Sequence, residues 1–509
     1  MAPALALGVS LPPTSAHALS VSMPQWAHVV GYEENDAAVL AAMACGYPRF
    51  FYHPFVVTLT KLLSSRAPFA DFFPTVNGDN EHVWSLALAP TLVSARRLQS
   101  FLIASAKNDP AVVDISAEQG DVDISGVRNL VWVVRYPRRL TATAKQFWQH
   151  SGEILHERVA SLYLGANSNS SDVSENVFVY PTGMGAIFAS VRLASKLRPD
   201  AKSILFGFPY VDTLKILSRV EWCAKGVYFF PVCGEKELLE VEAILKREPI
   251  FGVFTEFPGN PLLSTPDLSR LGRLAHDNGT VLVVDDTVGS YNVNVMSHDS
   301  ADIVTTSLSK IFSGTCDIMG GSIVLNPTGP LYNTLKQNIA QEDAFIVEED
   351  ARVLLETSVD VHKRLAKVNT SASVIAKRLH AHPLVESTFY PELQEDPTQF
   401  TKFLSNPSSD GAPQFGPLLS IVLKGGLPVA TAFYDAVNIA KGPSLGTNFT
   451  MCCPYTLLAH YNELDFAESC GVDRNLLRIS VGLEDTEEIW ETINSALQAA
   501  ITVYESESA

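Results

Sequence analysis

Short apolar runs alternate with segments of helical period through the middle of the chain. Val177–Tyr180, Ser203–Gly207, Ile250–Thr255, Thr280–Val284, Ala301–Thr306 and Gly321–Leu325 are short, mostly apolar and rich in β-branched residues, as strands covered on both faces are. A helical pattern follows the small-residue turn Pro181–Ala186 as far as Leu197, and another covers Leu268–His276. Strands and helices in this alternation predict a mostly parallel sheet with right-handed crossovers. Beyond about residue 350 the texture changes. A helical stretch over 350–381 leads to a strand Leu418–Leu423, a helix Pro428–Ala440, a loop Lys441–Gly446, an alternating strand Leu476–Val481 and an amphipathic helix Asp485–Tyr504, which together predict an α+β lobe. Ahead of the sheet, residues 1–45 carry Pro12, Pro13 and Pro24 and read as an extended arm. Residues 55–145 mix both patterns, with helical period over Leu98–Ala106 and a buried strand at Asn129–Arg135. Lys145–Leu164 predicts a helix, the Ser/Asn tract 168–175 predicts a loop, and no internal repeat is visible.

Composition narrows the function classes. With 509 residues, the chain is long enough for two domains or one long α/β domain with an appended lobe. An apolar share of 47% argues against disorder away from the ends. A net charge of −18 argues against non-specific binding to nucleic acid or to an anionic membrane. No run approaches the roughly 18–20 apolar residues of a membrane helix, and Met1–Leu11 lacks the basic start of a signal peptide. The 7 cysteines have no zinc-like spacing and suit reduced thiols in a cytoplasmic protein.

The chemistry gathers at the predicted strand ends. Lys310, in Ser307-Leu308-Ser309-Lys310, leaves a β-branched strand between small hydroxyl residues. A lysine held in a partly desolvated pocket is suited to attack a carbonyl and form a Schiff base. Asp285 ends the strand before it, where a carboxylate is able to keep a pyridine nitrogen protonated. Thr182-Gly183-Met184 opens a helix after a strand, an arrangement whose N–H groups and dipole attract a phosphate. Tyr210 follows another strand and is a ring-stacking and proton-handling candidate. Asn260 sits in a loop fixed by Pro258, Gly259 and Pro261. Arg478 lies in an apolar strand, where a carboxylate is its natural fork partner. Tyr47-Pro48-Arg49 offers an arginine between aromatics that is able to cap an anion. Taken singly, each also fits a packing role: a surface lysine, a turning glycine, a half-buried tyrosine, an internal salt bridge, a snorkelling arginine. Ligands of open parallel sheets bind beyond the strand C-termini, and the candidates of the sheet all fall there.

These motifs, in order, resemble one family. Tyr-Pro-Arg at 47–49, Thr-Gly-Met-Gly-Ala-Ile at 182–187, Glu-x-Pro-x-Asn-Pro at 256–261, Val-Asp-Asp-Thr at 284–287, Ser-x-Ser-Lys at 307–310, Met-Gly-Gly at 319–321 and Leu-Arg-Ile-Ser-Val-Gly-Leu-Glu at 477–484 resemble the Cys/Met-metabolism family of pyridoxal-phosphate enzymes. Phrases at 206–213 and 441–450 are similar to its fungal cystathionine γ-synthase branch. The resemblance covers nearly all of residues 8–500. It implies an α/β fold of the type I, aspartate-aminotransferase-like class, with a mostly parallel large domain and a smaller α+β C-terminal domain. It further implies an N-terminal arm over 1–54 that contributes to a neighbouring subunit, a branch-specific insertion over 55–145, a cofactor-binding domain over 146–350 and a substrate-binding domain over 351–509.

By the same resemblance, pyridoxal 5'-phosphate is the cofactor, Lys310 carries it, and Asp285 partners its ring nitrogen. Tyr210 stacks on the ring and helps with proton transfer. Thr182, Gly183, Met184, Ser307 and Ser309 surround the phosphate, joined by Tyr47 and Arg49 from another subunit of a homo-oligomer, often a dimer of dimers. Arg478 takes the α-carboxylate of a small amino-acid substrate, with Ser444, Asn260 and Glu256 beside it. The implied activity is γ-replacement on an O-acyl-L-homoserine, with cysteine or another nucleophile replacing the γ-acyloxy group. The runner-up is the same substitution with a carbon or amine nucleophile, making an unusual amino acid in secondary metabolism; a γ- or β-lyase is the third reading and a non-catalytic regulatory subunit the last. Asp286 stands where bacterial relatives have asparagine, Phe257 replaces a small residue, Cys452-Cys453 stand where small hydroxyl residues are expected, and about 90 residues before the phosphate turn have no bacterial counterpart.

Overall fold

The computed structural model describes residues 4–46, 85–89, 113–116, 129–133, 154–163, 174–220, 222–297, 300–342, 344–346, 348–405 and 413–508. The chain divides into two compact units, 51–149 and the remainder. In the first, Ser85–Ala89, Asn129–Val133 and Val113–Ser116 form a three-stranded parallel sheet with Asn129–Val133 in the middle, so the strand expected there exists. The helical period at Leu98–Ala106 lies outside the described residues.

The larger unit is built on seven strands: β1 Val177–Tyr180, β2 Lys202–Phe206, β3 Val227–Phe230, β4 Ile250–Glu256, β5 Val281–Asp285, β6 Ile303–Ser307 and β7 Gly321–Leu325. They lie in the order β1-β7-β6-β5-β4-β2-β3. Only β7 runs against its neighbours; β6, β5, β4, β2 and β3 pair parallel. The mostly parallel sheet expected from the sequence is therefore the observed one. Helices α1 Gly183–Ser195, α2 Val211–Ser218, α3 Glu235–Arg247 and α4 Leu268–Asp277 connect its strands. Edge strand β3 and helix α3 were absent from the expected set; β3 is a run of only four residues, Val227-Tyr228-Phe229-Phe230, most of it half-buried at the sheet edge.

The C-terminal lobe holds α5 Glu348–Thr357, α6 Val361–His380, α7 Gly426–Ala436 and α8 Thr486–Ser508. Its sheet comprises β8 Val385–Phe389, β9 Leu418–Leu423, β10 Ala440–Lys441, β11 Met451–Pro454 and β12 Leu477–Ser480, in the order β8-β9-β12-β11-β10. Two boundaries differ from expectation. The single helix over 350–381 is two, parted at 358–360, and the helix ending at Ala440 stops at Ala436 so that Ala440–Lys441 is free to pair with β11.

Arg364 accounts for the first break. Its guanidinium, almost fully buried, donates to Ile311 O (2.8 Å), Phe312 O (2.7 Å) and Thr357 O (3.1 Å), while Nε reaches Asp360 (2.8 Å). It ties the end of α5 to the turn Leu308–Phe312, which carries Lys310. The arm is also corrected. Residues 4–46 include helices Trp26–Glu33 and Ala37–Ala42, the second capped by Asp36, whose carboxylate accepts from Ala38 and Val39. The arm packs on its own lobe: Trp26 N donates to Asp435 (2.7 Å), Tyr434 OH to Met23 O (2.7 Å) and Lys441 Nζ to Pro24 O (2.7 Å). Helices of 8 and 6 residues hold too few periodic positions to be legible.

Behind the strand ends, Tyr163 OH donates to Asp286 (2.9 Å) and lies 2.5 Å from Thr306 Oγ1, pinning the helix over 154–163 to β5 and β6. Burial is the main force that pushes the Asp286 carboxyl well above its ordinary value of 3.8; the charge of Asp285 adds to it, and the Tyr163 bond opposes it. Phe257 stacks on Phe400 at 5.6 Å, so this departure serves packing.

Two measurements test these contacts. Arg364→Met strands buried carbonyls and is expected to lower the free energy of unfolding by roughly 3 kcal/mol, read by urea denaturation. For Asp286, the folded chain holds a proton that the unfolded chain releases above 3.8, so the stability it brings is whole below that value and drains as pH rises toward the raised folded value. Asp286→Asn removes this drain. The stability of the wild type relative to the variant is expected to fall as pH rises above about 4, by at most about 1.4 kcal/mol per pH unit, and to level off once the raised folded value is passed. Equal pH slopes for the two proteins would mean that Asp286 is ionised in the fold.

Candidate active site

Parallel pairing brings the strand ends to one edge. Asp285 is in register with Glu256 on β4 and Thr305 on β6, and Ser307 with Gly321 on β7. Beyond this edge lies a cavity of about 530 Å³. Its wall includes Thr182, Gly183, Met184, Tyr210, Glu256, Asn260, Asp285, Ser307, Ser309, Lys310, Ser444 and Arg478. Every candidate within the described residues therefore meets in one place. Tyr47 and Arg49 lie outside the described residues.

One end of the cavity suits an anion. Thr182 caps α1, its hydroxyl accepting from Gly185 N (2.9 Å), and the first N–H groups of such a helix have no partner within it. A Cβ on Gly183 would stand 2.9 Å from the Ser307 Cβ, and one on Gly321 would stand 2.3 Å from Thr182 O. The glycines thus let β6, β7 and the helix start close into a cradle. Ser309 is fixed beside it, accepting from Gly320 N (3.0 Å) and donating to Gly320 O (3.3 Å).

The floor is acidic. Asp285 accepts from Thr287 N (2.8 Å), and Thr287 Oγ1 accepts from Ser307 N (2.9 Å), so one threonine ties the two strand ends together. Burial raises the Asp285 pKa against the opposing Thr287 bonds. A cationic ring nitrogen set against this carboxylate would offset that penalty. Glu256 is pushed up to about 8, by burial first and then by Asp285. Its two oxygens accept backbone N–H groups, one from Tyr210 and one from Asn260 (3.1 Å). Of the residues expected beside the substrate, this one is turned to the backbone.

The opposite wall comes from the smaller lobe. Lys310, at φ −95° and ψ −127° within its turn, donates to Ser444 Oγ (3.2 Å). Arg478, on β12 between Ser420 and Cys453, is about 4% exposed. It donates to Asn260 Oδ1 (3.1 Å) and Ser444 O (3.1 Å), and its guanidinium lies 4.8 Å from the Tyr455 ring centroid. Cys453 and Cys452 are buried and their thiols pushed up by desolvation. Leu19, from the arm, also lines the cavity, its N–H bonded to Cys316 O (2.8 Å). Thr287, Tyr455 and Leu19 belong to the site without having been expected; only Thr287 had a signal, its place directly after the acidic pair. Chemically, the cavity offers an anion cradle, a carboxylate for a ring cation, an amine for a carbonyl and an arginine for a carboxylate. These fit pyridoxal phosphate with an amino acid. Among the described residues no group of side chains is arranged to hold a metal ion.

Comparison with known proteins agrees with the geometry. Residues 154–498 match the family described as Cys/Met metabolism PLP-dependent enzyme, and residues 71–155 match the fungal trans-sulfuration enzyme N-terminal domain. A cystathionine gamma-synthase-like enzyme of Amanita muscaria is 34% identical over 97% of this chain and 96% of its own. The cystathionine gamma-synthase of Neurospora crassa is 33% identical over 98% and 99%. In fold, the cystathionine gamma synthase of Xanthomonas oryzae is similar with a TM-score of 0.59 at 23% identity, over 69% of this chain and 86% of that one. The cofactor is pyridoxal 5'-phosphate, and the chain belongs to the Cys/Met-metabolism family of PLP-dependent enzymes.

Proposed function

We propose that this enzyme carries out γ-replacement on an O-acyl-L-homoserine, with cysteine or another nucleophile taking the place of the γ-acyloxy group. The observation that carries the reading is the meeting of Lys310, Asp285 and Arg478 around one cavity, with Ser444 bonded to both cations. The synthase and synthase-like names of the fungal relatives support it. Pyridoxal phosphate, when bound, supplies an electron sink for negative charge developing at substrate carbon.

The rest is work for the chain's own residues. Thr182, Gly183, Met184, Ser307 and Ser309 hold the phosphate, and Asp285 keeps the ring nitrogen protonated. Lys310 carries the cofactor and then removes and returns the proton at the substrate Cα. Tyr210 covers the ring and assists proton transfer. Arg478 takes the α-carboxylate as a fork, aimed by Asn260 and by the Ser444 carbonyl. Tyr47 and Arg49 complete the phosphate site from a neighbouring subunit of a homo-oligomer acting on small amino acids in the cytoplasm. A second reading, with a carbon or amine nucleophile that lacks a carboxylate, is favoured by the cavity wall. Leu19, Met319 and Leu458 are apolar there, and among the described lining residues Lys310 and Arg478 are the only lysine and arginine. No helix of the described residues is long and apolar enough to cross a membrane.

Incubation with O-acetyl- and O-succinyl-homoserine and a panel of thiols, amines and β-keto esters, read by mass spectrometry, tests the reading. One ester is expected to be consumed with capture of a nucleophile. A cofactor-loaded protein that consumes neither would refute it. Borohydride reduction is expected to fix the pyridoxyl mass on the peptide containing Lys310; label on another lysine would displace Lys310 from its role. A charged hydrogen-bonded pair contributes roughly 1.5–3 kcal/mol, so Arg478→Ala is expected to lower kcat/KM by about 10- to 100-fold with cofactor absorbance intact. Loss of the cofactor instead would make Arg478 an internal structural partner.

A further inference from the structure

Glu256 ends β4 beside Asp285, in register with it across the parallel pair, and is about 9% exposed. Both of its oxygens are engaged on backbone amides that belong to different parts of the site. One takes the N–H of Tyr210, the N-cap residue just ahead of α2. The other takes the N–H of Asn260. Asn260 in turn accepts from Arg478 through Oδ1 and donates from Nδ2 to the Tyr455 hydroxyl at 3.3 Å, beneath the same guanidinium. A single carboxylate thus spans the element that carries the ring-facing tyrosine and the loop that aims the arginine.

We propose that Glu256 is a positioning residue that fixes the separation of Tyr210 from Arg478 by gripping two backbone amides, and that it touches neither substrate nor cofactor. This rests on the reading that Tyr210 and Arg478 flank the bound amino acid. Two features favour it. A carboxylate offers acceptors at both ends, whereas a glutamine offers one acceptor and one donor, so one of the two N–H groups would meet another donor. The negative end also lies against the start of α2, where helix N–H groups and dipole attract an anion. Burial and Asp285 push the group up to about 8 while the two N–H bonds pull it down, so the binding tests are run at about pH 9, where the carboxylate is ionised and accepts at both ends.

The test uses full-length protein, prepared as apoenzyme and reloaded. Binding of pyridoxal phosphate to the apoenzyme is followed by quenching of tryptophan fluorescence. Binding of L-homoserine, which has no leaving group, to the loaded protein is followed by its visible spectrum. Neither readout needs γ-replacement, so failure of the proposed reaction is scored separately, by the wild type turning over no ester. Glu256→Gln is expected to weaken both pyridoxal phosphate and homoserine by about tenfold or more each, since both arms lose their anchor. Glu256→Asp, one methylene short of reaching both amides, is expected to restore neither. Asn260→Ala cuts only the Arg478 arm and is expected to weaken homoserine alone, and the Glu256→Gln/Asn260→Ala protein is expected to bind homoserine no worse than Glu256→Gln. Should Glu256→Gln not fold, Asn260→Ala alone decides. Unchanged homoserine binding in that variant, weakening of one ligand only in Glu256→Gln, or additive losses in the double variant would each overturn the proposal.

Discussion

Every functional contact of this enzyme depends on the register in which β4, β5 and β6 pair. Parallel pairing in register brings Glu256 and Asp285 to the same height, with Ser307 two residues beyond Thr305, the partner of Asp285, and no loop has to carry them there. A slip of one residue would turn Asp285 to the other face and bring Asp286 into the cavity. The register is held at the site itself: Thr287 links the Asp285 carboxylate to the Ser307 amide, and Tyr163 bridges Asp286 and Thr306 on the opposite side. The adjacent acidic residues of one strand end thus have separate duties, Asp285 lining the cavity and Asp286 bolting the sheet.

The second lobe uses the same economy of position. Arg478 sits on a central strand, where its backbone is held on both sides, and its side chain is aimed by acceptors from two separate loops. Ser444 joins the lobes by receiving Lys310 on its hydroxyl and Arg478 on its carbonyl. Arg364 performs the complementary task from beneath, fastening α5 and the Lys310 turn with one guanidinium.

The sheet and most of its site were legible in the sequence for a physical reason. Fully covered strands demand uninterrupted apolar runs, and the polar residues that end them, Asp285 and Lys310, stand out against that background. Arg478 stood out likewise, as a charge within an apolar strand. What escaped depends on contacts distant in sequence. Nothing near Arg364 foretells that it satisfies carbonyls some fifty residues earlier, and the break at 358–360 has no proline or glycine to announce it. Glu256 was visible within its motif but assigned to the substrate side, because a spacing cannot say that both oxygens are spent on amides. The arm was misread because its helices are short and draw their stability from the lobe they cover.

The placement of Leu19 gives that arm a further meaning. Its amide is bonded to Cys316, six residues past Lys310, and its side chain forms part of the cavity wall. The chain therefore closes its reaction chamber with residues synthesised long before the sheet exists. Part of the chamber's wall is thus set by how the beginning of the chain is packed, and a substitution at Leu19 reaches the cavity although it lies nearly three hundred residues before Lys310.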